Sequence, residues 1–264
     1  MTNYVHGFDS EEQLRLTEQA AILAPMVYKE VDFSDCNELL EVGSGVGAQT
    51  RILLEKFPKL KITCVDSSAV QLAKARINLA GFENRVRFVE QDGCALHLEE
   101  RFDAAFVCWT LEHVSSPLQL LIRLKEHLQP GARVYATEVF NSSLYTTPGY
   151  AHLQEYVEVM SAFQRKIGGN PDVGIELGNL FSMAGFPSCT TRFDGFYLDA
   201  RSGEQRKIVA AYWKGLLKSA APALVAAEAC TPFAVEKMIV DLEKLGNDEN
   251  AIFFYQFVQA IVTL

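Results

Sequence analysis

The stretch that decides the fold is Glu38-Leu39-Leu40-Glu41-Val42-Gly43-Ser44-Gly45-Val46-Gly47-Ala48-Gln49-Thr50. An apolar run containing an acid precedes three alternating glycines, and an apolar-periodic segment to about Phe57 follows them. This order predicts a strand, a tight turn and a helix. Glycines in such a turn let backbone N–H groups approach a ligand closely, so we expect a small polar molecule to bind here.

The glycine spacing indicates the class of ligand. A dinucleotide-binding turn needs a third glycine three residues after the second, whereas Gly47 follows Gly45 by two. Glu41, shortly before the first glycine, is unfavourable beside a diphosphate but favourable beside a cationic sulfonium or ammonium group. The spacing therefore disfavours a pyrophosphate and favours a ligand with a cationic centre.

Two further predicted strands each end at an acid. Residues 61–65 form the second strand, and Asp66 follows it about 20 residues past the glycines, where a carboxylate can hold a ribose diol. Ser68 begins a helix that runs through Leu79. The third strand, residues 86–90, leads to Asp92.

The fourth strand, residues 102–108, is almost continuously apolar, as expected when helices cover both faces of a parallel sheet. It runs into Trp109-Thr110-Leu111-Glu112-His113-Val114. A helix from Pro117 to Leu128, a turn at residues 129–131 and a fifth strand, residues 132–137, follow, and this strand ends at Glu138.

Together these ordered motifs, over roughly residues 36–139, resemble the class I S-adenosylmethionine-dependent methyltransferases of the small-molecule type, related to the ubiquinone and menaquinone biosynthesis methyltransferases. The resemblance implies an α/β, Rossmann-like, doubly wound seven-stranded sheet with strand seven antiparallel, a helical N-terminal cap and helical lid insertions. It implies S-adenosyl-L-methionine as cofactor. The residues that it places at the cofactor are Glu41, Gly43, Ser44, Gly45, Gly47, Asp66, Ser67, Asp92, Gly93, Cys108 and Trp109.

The N-terminal arm resembles a Tyr-x-His-Gly-aromatic opening of bacterial small-molecule methyltransferases. By this analogy Tyr4, His6 and Phe8 line or close the substrate pocket. On the following helix, Arg15 and Gln19 lie one turn apart and can reach the methionine carboxylate; the alternative is a solvated helix face.

That first helix begins at Ser10, a capping residue. Pro25 is expected to kink or divide it, leaving a second piece to about Val31.

The chain after Glu138 is predicted to form a loop at 141–148, helices at 151–167 and 175–184, a sixth strand at 188–198, a helical insert at 201–246 and a last strand at 251–258. Helical spacing puts His152, Tyr156, Val159 and Phe163 on one aromatic face, and His152 and Tyr156 are candidate substrate residues. The long insert is either a lid or a dimer interface, and we favour the lid.

These elements define four expected regions. They are the N-terminal arm and helical cap at 1–32, the cofactor-binding Rossmann-like core at 33–140, the helical lid segment at 141–186, and the last two strands with the insert at 187–264.

Three residues are candidates for a general base or for hydrogen bonding to the substrate: His113, His6 and Glu112. A base is needed only where the attacking atom carries a proton, and histidine can accept one near neutral pH. Alternatively, His113 caps a helix or packs beneath the cofactor, and Glu112 is a solvated acid. The fourth strand lacks the Asn/Asp-Pro-Pro-aromatic motif, which the wider class uses for amide or base nitrogens. The acceptor atom stays open.

Composition excludes several partners. With 24 basic and 33 acidic residues, the net charge of −9 disfavours a nucleic-acid substrate. Six cysteines without metal-binding spacing indicate reduced thiols and no metal site. The absence of a signal peptide or an apolar run of membrane-spanning length predicts a cytoplasmic protein away from the membrane.

We therefore expect methyl transfer to a small aromatic or apolar molecule, in a setting such as secondary metabolism, by a monomer or a homodimer. Three alternatives stay open. They are a dehydrogenase on the same sheet, a non-catalytic cofactor-binding protein with a regulatory or scaffolding role, and an enzyme that uses the cofactor for aminopropyl transfer or methylation-triggered cyclisation.

Overall fold

The computed structural model describes residues 5–7 and 10–264. Within those residues the α-helices and strands, in chain order, are α1 (Ser10–Val27), β1 (Glu38–Val42), α2 (Ala48–Lys56), β2 (Lys61–Asp66), α3 (Ala69–Asn78), β3 (Val86–Glu90), β4 (Phe102–Cys108), α4 (Pro117–Glu126), β5 (Leu128–Thr147), α5 (Ala151–Lys166), α6 (Val173–Met183), β6 (Ser188–Leu198), α7 (Gly203–Ala226), α8 (Pro232–Asn247) and β7 (Ile252–Thr263).

In the described part of the chain the strands form one seven-stranded sheet in the order β3-β2-β1-β4-β5-β7-β6. The first five strands run parallel, and β7 is antiparallel to both β5 and β6. This confirms the predicted doubly wound sheet with an antiparallel seventh strand. The strand order reverses between β1 and β4, and in open α/β sheets the carboxyl ends of the strands at such a point form the ligand-binding crevice.

Both faces of the sheet are covered, and alternation along each strand divides the core in two. Leu39 and Phe106 pack with residues of α1, α2, α7 and α8 on one face. Leu40 and Val107 pack with residues of α4 and α6 on the other. All four side chains are fully buried, which explains why these strands are almost continuously apolar.

Strands β5 and β7 are both longer than the sequence predicted. The expected turn at 129–131 and the expected loop at 141–148 both lie largely within β5, and the last strand continues to Thr263. For the loop the reason is pairing with β7: the two strands hydrogen-bond from Arg133 opposite Thr263 to Thr147 opposite Ile252, with an irregularity between Phe140 and Tyr145. Residues 129–131 lie in a second irregularity of β5, where its pairing with β4 shifts register. Turn-forming residues are therefore absorbed as irregularities in a long ladder. The region boundary expected at residue 140 falls inside β5.

Helix α1 also differs from the prediction, because Pro25 neither divides it nor is followed by a second helical piece. The helix ends at Val27, two residues after the proline. A proline this close to the end removes one intrahelical hydrogen bond, and the next turn still closes, with Tyr28 N–H donating to the Ala24 carbonyl at 3.0 Å.

The sequence analysis predicted the wrong side of α5 to face the interior. The buried side is formed by Leu153, Tyr156, Val157, Met160, Ser161 and Gln164. His152 is exposed, and Val159 and Phe163 are only partly buried. The aliphatic residues, which bury more easily than histidine, therefore set which side of the helix faces the core.

The insert between β6 and β7 is a pair of helices, α7 and α8, packed against α5. The Asp241 carboxylate on α8 accepts hydrogen bonds from the backbone N–H groups of His152 and Leu153, at 2.9 and 3.3 Å. It thereby satisfies the free N-terminal donors of α5. Buried Arg206 binds the carbonyls of Asp199, Leu245 and Asp248, fixing the base of the insert.

Candidate active site

The glycine turn lies at the carboxyl end of β1. Gly43 and Ser44 donate backbone hydrogen bonds to the Val65 carbonyl, at 2.8 and 3.1 Å, which ties the turn to β2. Gly43 has φ +77°, and a Cβ at this position would overlap the Thr110 side chain at the end of β4. A residue without a side chain is therefore required for the two strand ends to meet.

Gly47 has a different role from the one expected of it. It has φ +76° and precedes α2, and a Cβ there would overlap Leu79 and approach Ala75 closely. Gly47 does not line the cavity beside the turn, whereas Gly43, Ser44 and Gly45 do. Its absent side chain serves the packing of α2 on α3.

Asp66 and Asp92 line this cavity at the ends of β2 and β3. The Asp66 carboxylate accepts hydrogen bonds from Gly45 N–H and Ser68 N–H, both at 2.8 Å. Burial raises its pKa, and these two bonds oppose that effect. Each carboxylate oxygen retains a lone pair, so Asp66 is held rigidly and can still accept a bidentate diol. Asp92 accepts a hydrogen bond from Cys94 N–H at 2.9 Å.

Glu41 lies beneath the turn and does not line the cavity. Strand alternation puts it on the same side of β1 as Leu39. There Thr50 Oγ1 of α2 donates to Glu41 Oε2 at 2.6 Å. Burial raises the pKa of Glu41 to about 8. The structure thus gives this residue a part in supporting the turn, not in contacting a ligand there.

The segment after β4 is a strained turn held by Glu138, which the sequence analysis named only as a strand end. Trp109 has φ 55°, a conformation that side chains rarely adopt. Glu138 Oε1 accepts hydrogen bonds from the backbone N–H groups of Thr110 and Leu111, at 2.9 and 2.8 Å. Burial is the main cause that raises the pKa of Glu138 to about 8. The available signal was an acid at the end of the predicted fifth strand, but the sequence did not show which groups this acid would bind.

This turn presents Glu112 and His113 to the cavity. Glu112 Oε2 accepts a hydrogen bond from Gln164 Nε2 at 2.9 Å, and Glu112 Oε1 lies 3.6 Å from His113 Nε2. Burial lowers the pKa of His113, while Glu112 raises it and Arg15 lowers it. The imidazole is therefore neutral near pH 7 and has a carboxylate beside it that can stabilise a transferred proton.

His6 of the N-terminal arm joins the same group. Its ring centroid lies 6.2 Å from that of His113, and its Nδ1 lies 2.7 Å from Ser219 Oγ on α7. Burial, followed by Arg15 and His113, lowers its pKa well below the ordinary value. Tyr4 and Phe8, the other arm residues predicted to line the pocket, fall outside the described residues.

Arg15 and Gln19 line the cavity from α1. The Arg15 guanidinium donates to both Glu12 carboxylate oxygens, at 2.6 Å each, and to Gln19 Oε1 at 2.6 Å. Glu12, absent from the sequence prediction, balances the charge of Arg15. The buried pairing orients the guanidinium rather than leaving a solvated helix face.

Five aromatic residues form the far part of the cavity, and we call this part the aromatic chamber. They are Trp109, Phe196, Tyr212, Trp213 and Tyr255. Of these the sequence analysis predicted Trp109 alone. The others come from β6, α7 and β7, whose sequences show apolar patterning but no sign of which side faces a ligand.

Two predicted substrate residues lie elsewhere. His152 is exposed at the start of α5 and does not line the cavity. Tyr156 is buried against the insert, where its hydroxyl donates to the Leu217 carbonyl at 3.0 Å. Met160 and Gln164, on the same helix, line the cavity instead.

The cavity as a whole has a volume of about 250 Å³. We call the end formed by the glycine turn, Asp66, Ser67, Asp92 and Gly93 the cofactor half. Cys108, which ends β4 and precedes Trp109 of the aromatic chamber in the chain, also lines the cavity. One continuous cavity thus joins a polar, backbone-lined end to an aromatic end.

Two kinds of feature are absent from the described residues, 5–7 and 10–264: a membrane-spanning helix and a cluster of metal-binding side chains. No helix there is both long and apolar enough to cross a lipid bilayer. No group of three or more His, Cys, Asp or Glu side chains there is arranged to hold a metal ion.

The strand order is that of the Rossmann-like methyltransferase fold. A sequence model of the family described as "Methyltransferase domain" matches residues 40–134, from β1 into β5. The match confirms the family resemblance for residues 40–134, which are similar to a methyltransferase domain.

Among curated proteins, the malonyl-[acyl-carrier protein] O-methyltransferase of Priestia megaterium is 30% identical over 132 residues. The match covers 49% of this chain and 43% of that protein, so the chain spans less than half the length of this relative. The similarity therefore covers only part of each chain.

Two solved structures share the fold over almost the whole chain. Haemonchus contortus phosphoethanolamine N-methyltransferase 2 in complex with S-adenosyl-L-methionine has a TM-score of 0.56 at 18% identity, covering 93% of this chain and 52% of that one. The [4+2]-cyclase SpnF has a TM-score of 0.51 at 19% identity, covering 94% and 79%. These neighbours differ in the reaction that they are named for, so the shared fold does not define the chemistry.

Proposed function

We propose that this protein binds S-adenosylmethionine in the cofactor half and transfers its methyl group to a small molecule held in the aromatic chamber. The observation that carries the proposal is the continuous cavity between the two. The cofactor would supply a methyl group already activated by a sulfonium. The residues present fit it, because Gly43 leaves the turn open for close approach and Asp66 has lone pairs for a ribose diol.

The protein's contribution would be positioning and exclusion of water. A well-aligned donor and acceptor can lower a barrier by about 7–11 kcal/mol without covalent help. The turn at 109–113, held by Glu138, would fix the reacting ends relative to each other. For an acceptor that carries a proton, neutral His113 would accept it, with Glu112 orienting the imidazole.

The aromatic lining supports a small acceptor with apolar or aromatic surface. The net charge of −9 supports a molecule other than a nucleic acid. We further propose a cytoplasmic location, since all six cysteines are free thiols. Tyr212, Trp213 and Leu216 of α7 line the cavity, which supports a lid role for the insert over a dimer interface.

Calorimetric titration with S-adenosylmethionine, S-adenosylhomocysteine and NAD tests the proposal. We expect micromolar binding of both adenosyl compounds and none of NAD. Binding of NAD alone, or of none of the three, would refute it.

A second assay tests turnover by following cofactor consumption and product mass against a panel of small acceptors. A product one CH2 unit heavier than its acceptor supports methyl transfer. Aminopropyl addition, or a product one CH2 unit heavier that contains a new ring, would indicate the alternative chemistries. A product isomeric with its precursor would indicate cyclisation without methyl transfer. Cofactor binding without consumption on any acceptor would favour a regulatory protein.

A further inference from the structure

The charges that line the cavity are unevenly compensated. Among the described residues, the lining carries three carboxyl groups, on Asp66, Asp92 and Glu112, and one guanidinium, on Arg15. Glu12 already binds that guanidinium through both carboxylate oxygens. Glu112 lines the same cavity as the aromatic chamber, and its carboxylate meets the Gln164 amide and the neutral His113 imidazole rather than a lysine or arginine.

Two rings of the aromatic chamber stand at a steep angle to each other. Trp213 and Tyr255 have centroids 4.8 Å apart and an interplanar angle of 74°. Glu112 lines the same cavity, and charge on Glu112 contributes to raising the pKa of both Tyr212 and Tyr255. Burial is the larger cause in each case.

Two polar atoms of the chamber lack a partner. The indole nitrogens of Trp109 and Trp213 are buried, and neither has a hydrogen-bond partner among the described residues. Trp213 itself is only 3% exposed. A buried N–H without a partner is uncommon, and here both belong to residues that line the cavity. They are donors that an occupant of the chamber can satisfy.

We propose that the aromatic chamber with Glu112 is an amine site, so that the methyl acceptor is the nitrogen of an aliphatic amine. This inference rests on the proposed function. Indole and phenol faces attract an ammonium group, and a nearby carboxylate adds to that attraction. An anionic acceptor such as a carboxylate would instead be repelled by Glu112.

The reaction then balances with groups in the cavity. The bound ammonium gives one proton to the His113 imidazole, which lies 3.6 Å from Glu112. The freed nitrogen lone pair forms a C–N bond to the methyl carbon while the carbon–sulfur bond breaks and its electron pair goes to sulfur. The nitrogen becomes a methylated ammonium, and the imidazolium beside Glu112 loses its proton to solvent as product leaves. Glu112 thus attracts the cation and stabilises the proton on His113.

Calorimetry on protein saturated with S-adenosylhomocysteine tests the site without needing the true acceptor. The probes are choline and 3,3-dimethylbutan-1-ol, which have the same shape but differ in having a cationic nitrogen or a neutral carbon. We expect choline to bind about tenfold more tightly. Equal affinities, or no measurable choline binding, would overturn the amine site.

Two variants make the test specific. Glu112→Gln keeps an oxygen acceptor for Gln164 and removes the charge, so it should reduce the preference for choline to what the aromatic rings alone supply. Glu155→Gln removes an exposed acid on α5 away from the cavity and should leave the preference intact. A preference unchanged in Glu112→Gln would remove this residue from the site.

The outcomes separate this inference from the proposed function. Failure to bind S-adenosylhomocysteine would refute the proposed function. Binding of that compound with no preference for choline would refute the amine site alone. Retained binding of S-adenosylhomocysteine by Glu112→Gln also shows that the variant is folded.

Discussion

The cofactor half and the aromatic chamber are built in different ways. The cofactor half comes from turns that each follow a strand directly, and its key contacts join residues close to the same sheet edge, such as Asp66 and Gly45. The aromatic chamber combines residues from the turn after β4 and from β6, α7 and β7. The first is determined by backbone geometry at strand ends, and the second by how distant helices pack over them. Changes to the cofactor half should therefore have larger and more specific effects.

The largest effect is expected from Gly43→Ala. The new Cβ would overlap Thr110, and φ +77° is strained for alanine. We expect calorimetry to show S-adenosylmethionine binding weakened by roughly 100-fold or more, or about 3 kcal/mol. Gly81→Ala is the matched control, since Gly81 has φ +95° with open space around its Cβ position. Equal losses of affinity in both variants would show that backbone strain, not the approach of β1 to β4, is responsible.

A smaller effect is expected from Asp66→Ala. Removing the carboxylate leaves ribose hydroxyls without a charged acceptor and also releases Gly45 N–H and Ser68 N–H. We expect cofactor affinity to fall by about 1–3 kcal/mol, measured by calorimetry. Glu90→Ala, at the register partner of Asp66 on β3 and exposed, should bind as the wild type does. Unchanged affinity in Asp66→Ala would remove this residue from the site.

The support beneath the cofactor half predicts a pH dependence of stability. The pKa of Glu41 is about 8 in the folded protein, above its ordinary value of 4.5. The folded state therefore holds a proton that the unfolded state has lost, and this contribution to stability falls as pH rises from about 4.5 through about 8. His6 and His113, whose pKa values are lowered, give the opposite slope below pH 6.5.

Denaturant unfolding of wild type and Glu41→Gln at several pH values isolates the contribution of Glu41 to the free energy of unfolding. We expect the wild type to lose stability relative to Glu41→Gln as pH rises, because glutamine does not titrate. Thr50 can still donate to the glutamine oxygen, which makes the variant a conservative one. A difference between the two proteins that stays constant over this range would contradict the raised pKa.

The smallest effect is expected from Ser219→Ala, on the helix α7 that supplies Tyr212 and Trp213 to the aromatic chamber. This change removes the contact between Ser219 and His6 and the hydrogen bond from Ser219 Oγ to the Leu216 carbonyl. The loss of about 0.5–1.5 kcal/mol should lower the Tm by about 1–4 °C and leave cofactor affinity unchanged. Ser182→Ala, at an exposed position on α6, should leave the Tm unchanged. A large loss of cofactor binding in Ser219→Ala would show that the two halves are not independent.

Comparison of the two halves also explains which predictions were confirmed. The family resemblance implied the doubly wound sheet with an antiparallel seventh strand, and that resemblance rests on short motifs at strand ends, where a local pattern fixes a local turn. Predictions that depended on a partner strand or helix were wrong. The fifth strand runs through its expected loop because β7 pairs with it, and α5 buries Leu153 and Met160 instead of presenting His152.

By itself the sequence determined the sheet, the glycine turn and the positions of Asp66 and Asp92, because each depends on a spacing of a few residues. Only the tertiary structure decided that Glu138 holds the turn after β4, that Glu12 balances Arg15, and that Tyr212 and Trp213 belong to the cavity. These contacts join residues far apart in the chain or depend on the rotation of a helix about its axis. A helix with apolar residues on more than one side does not specify that rotation until its neighbours are packed against it.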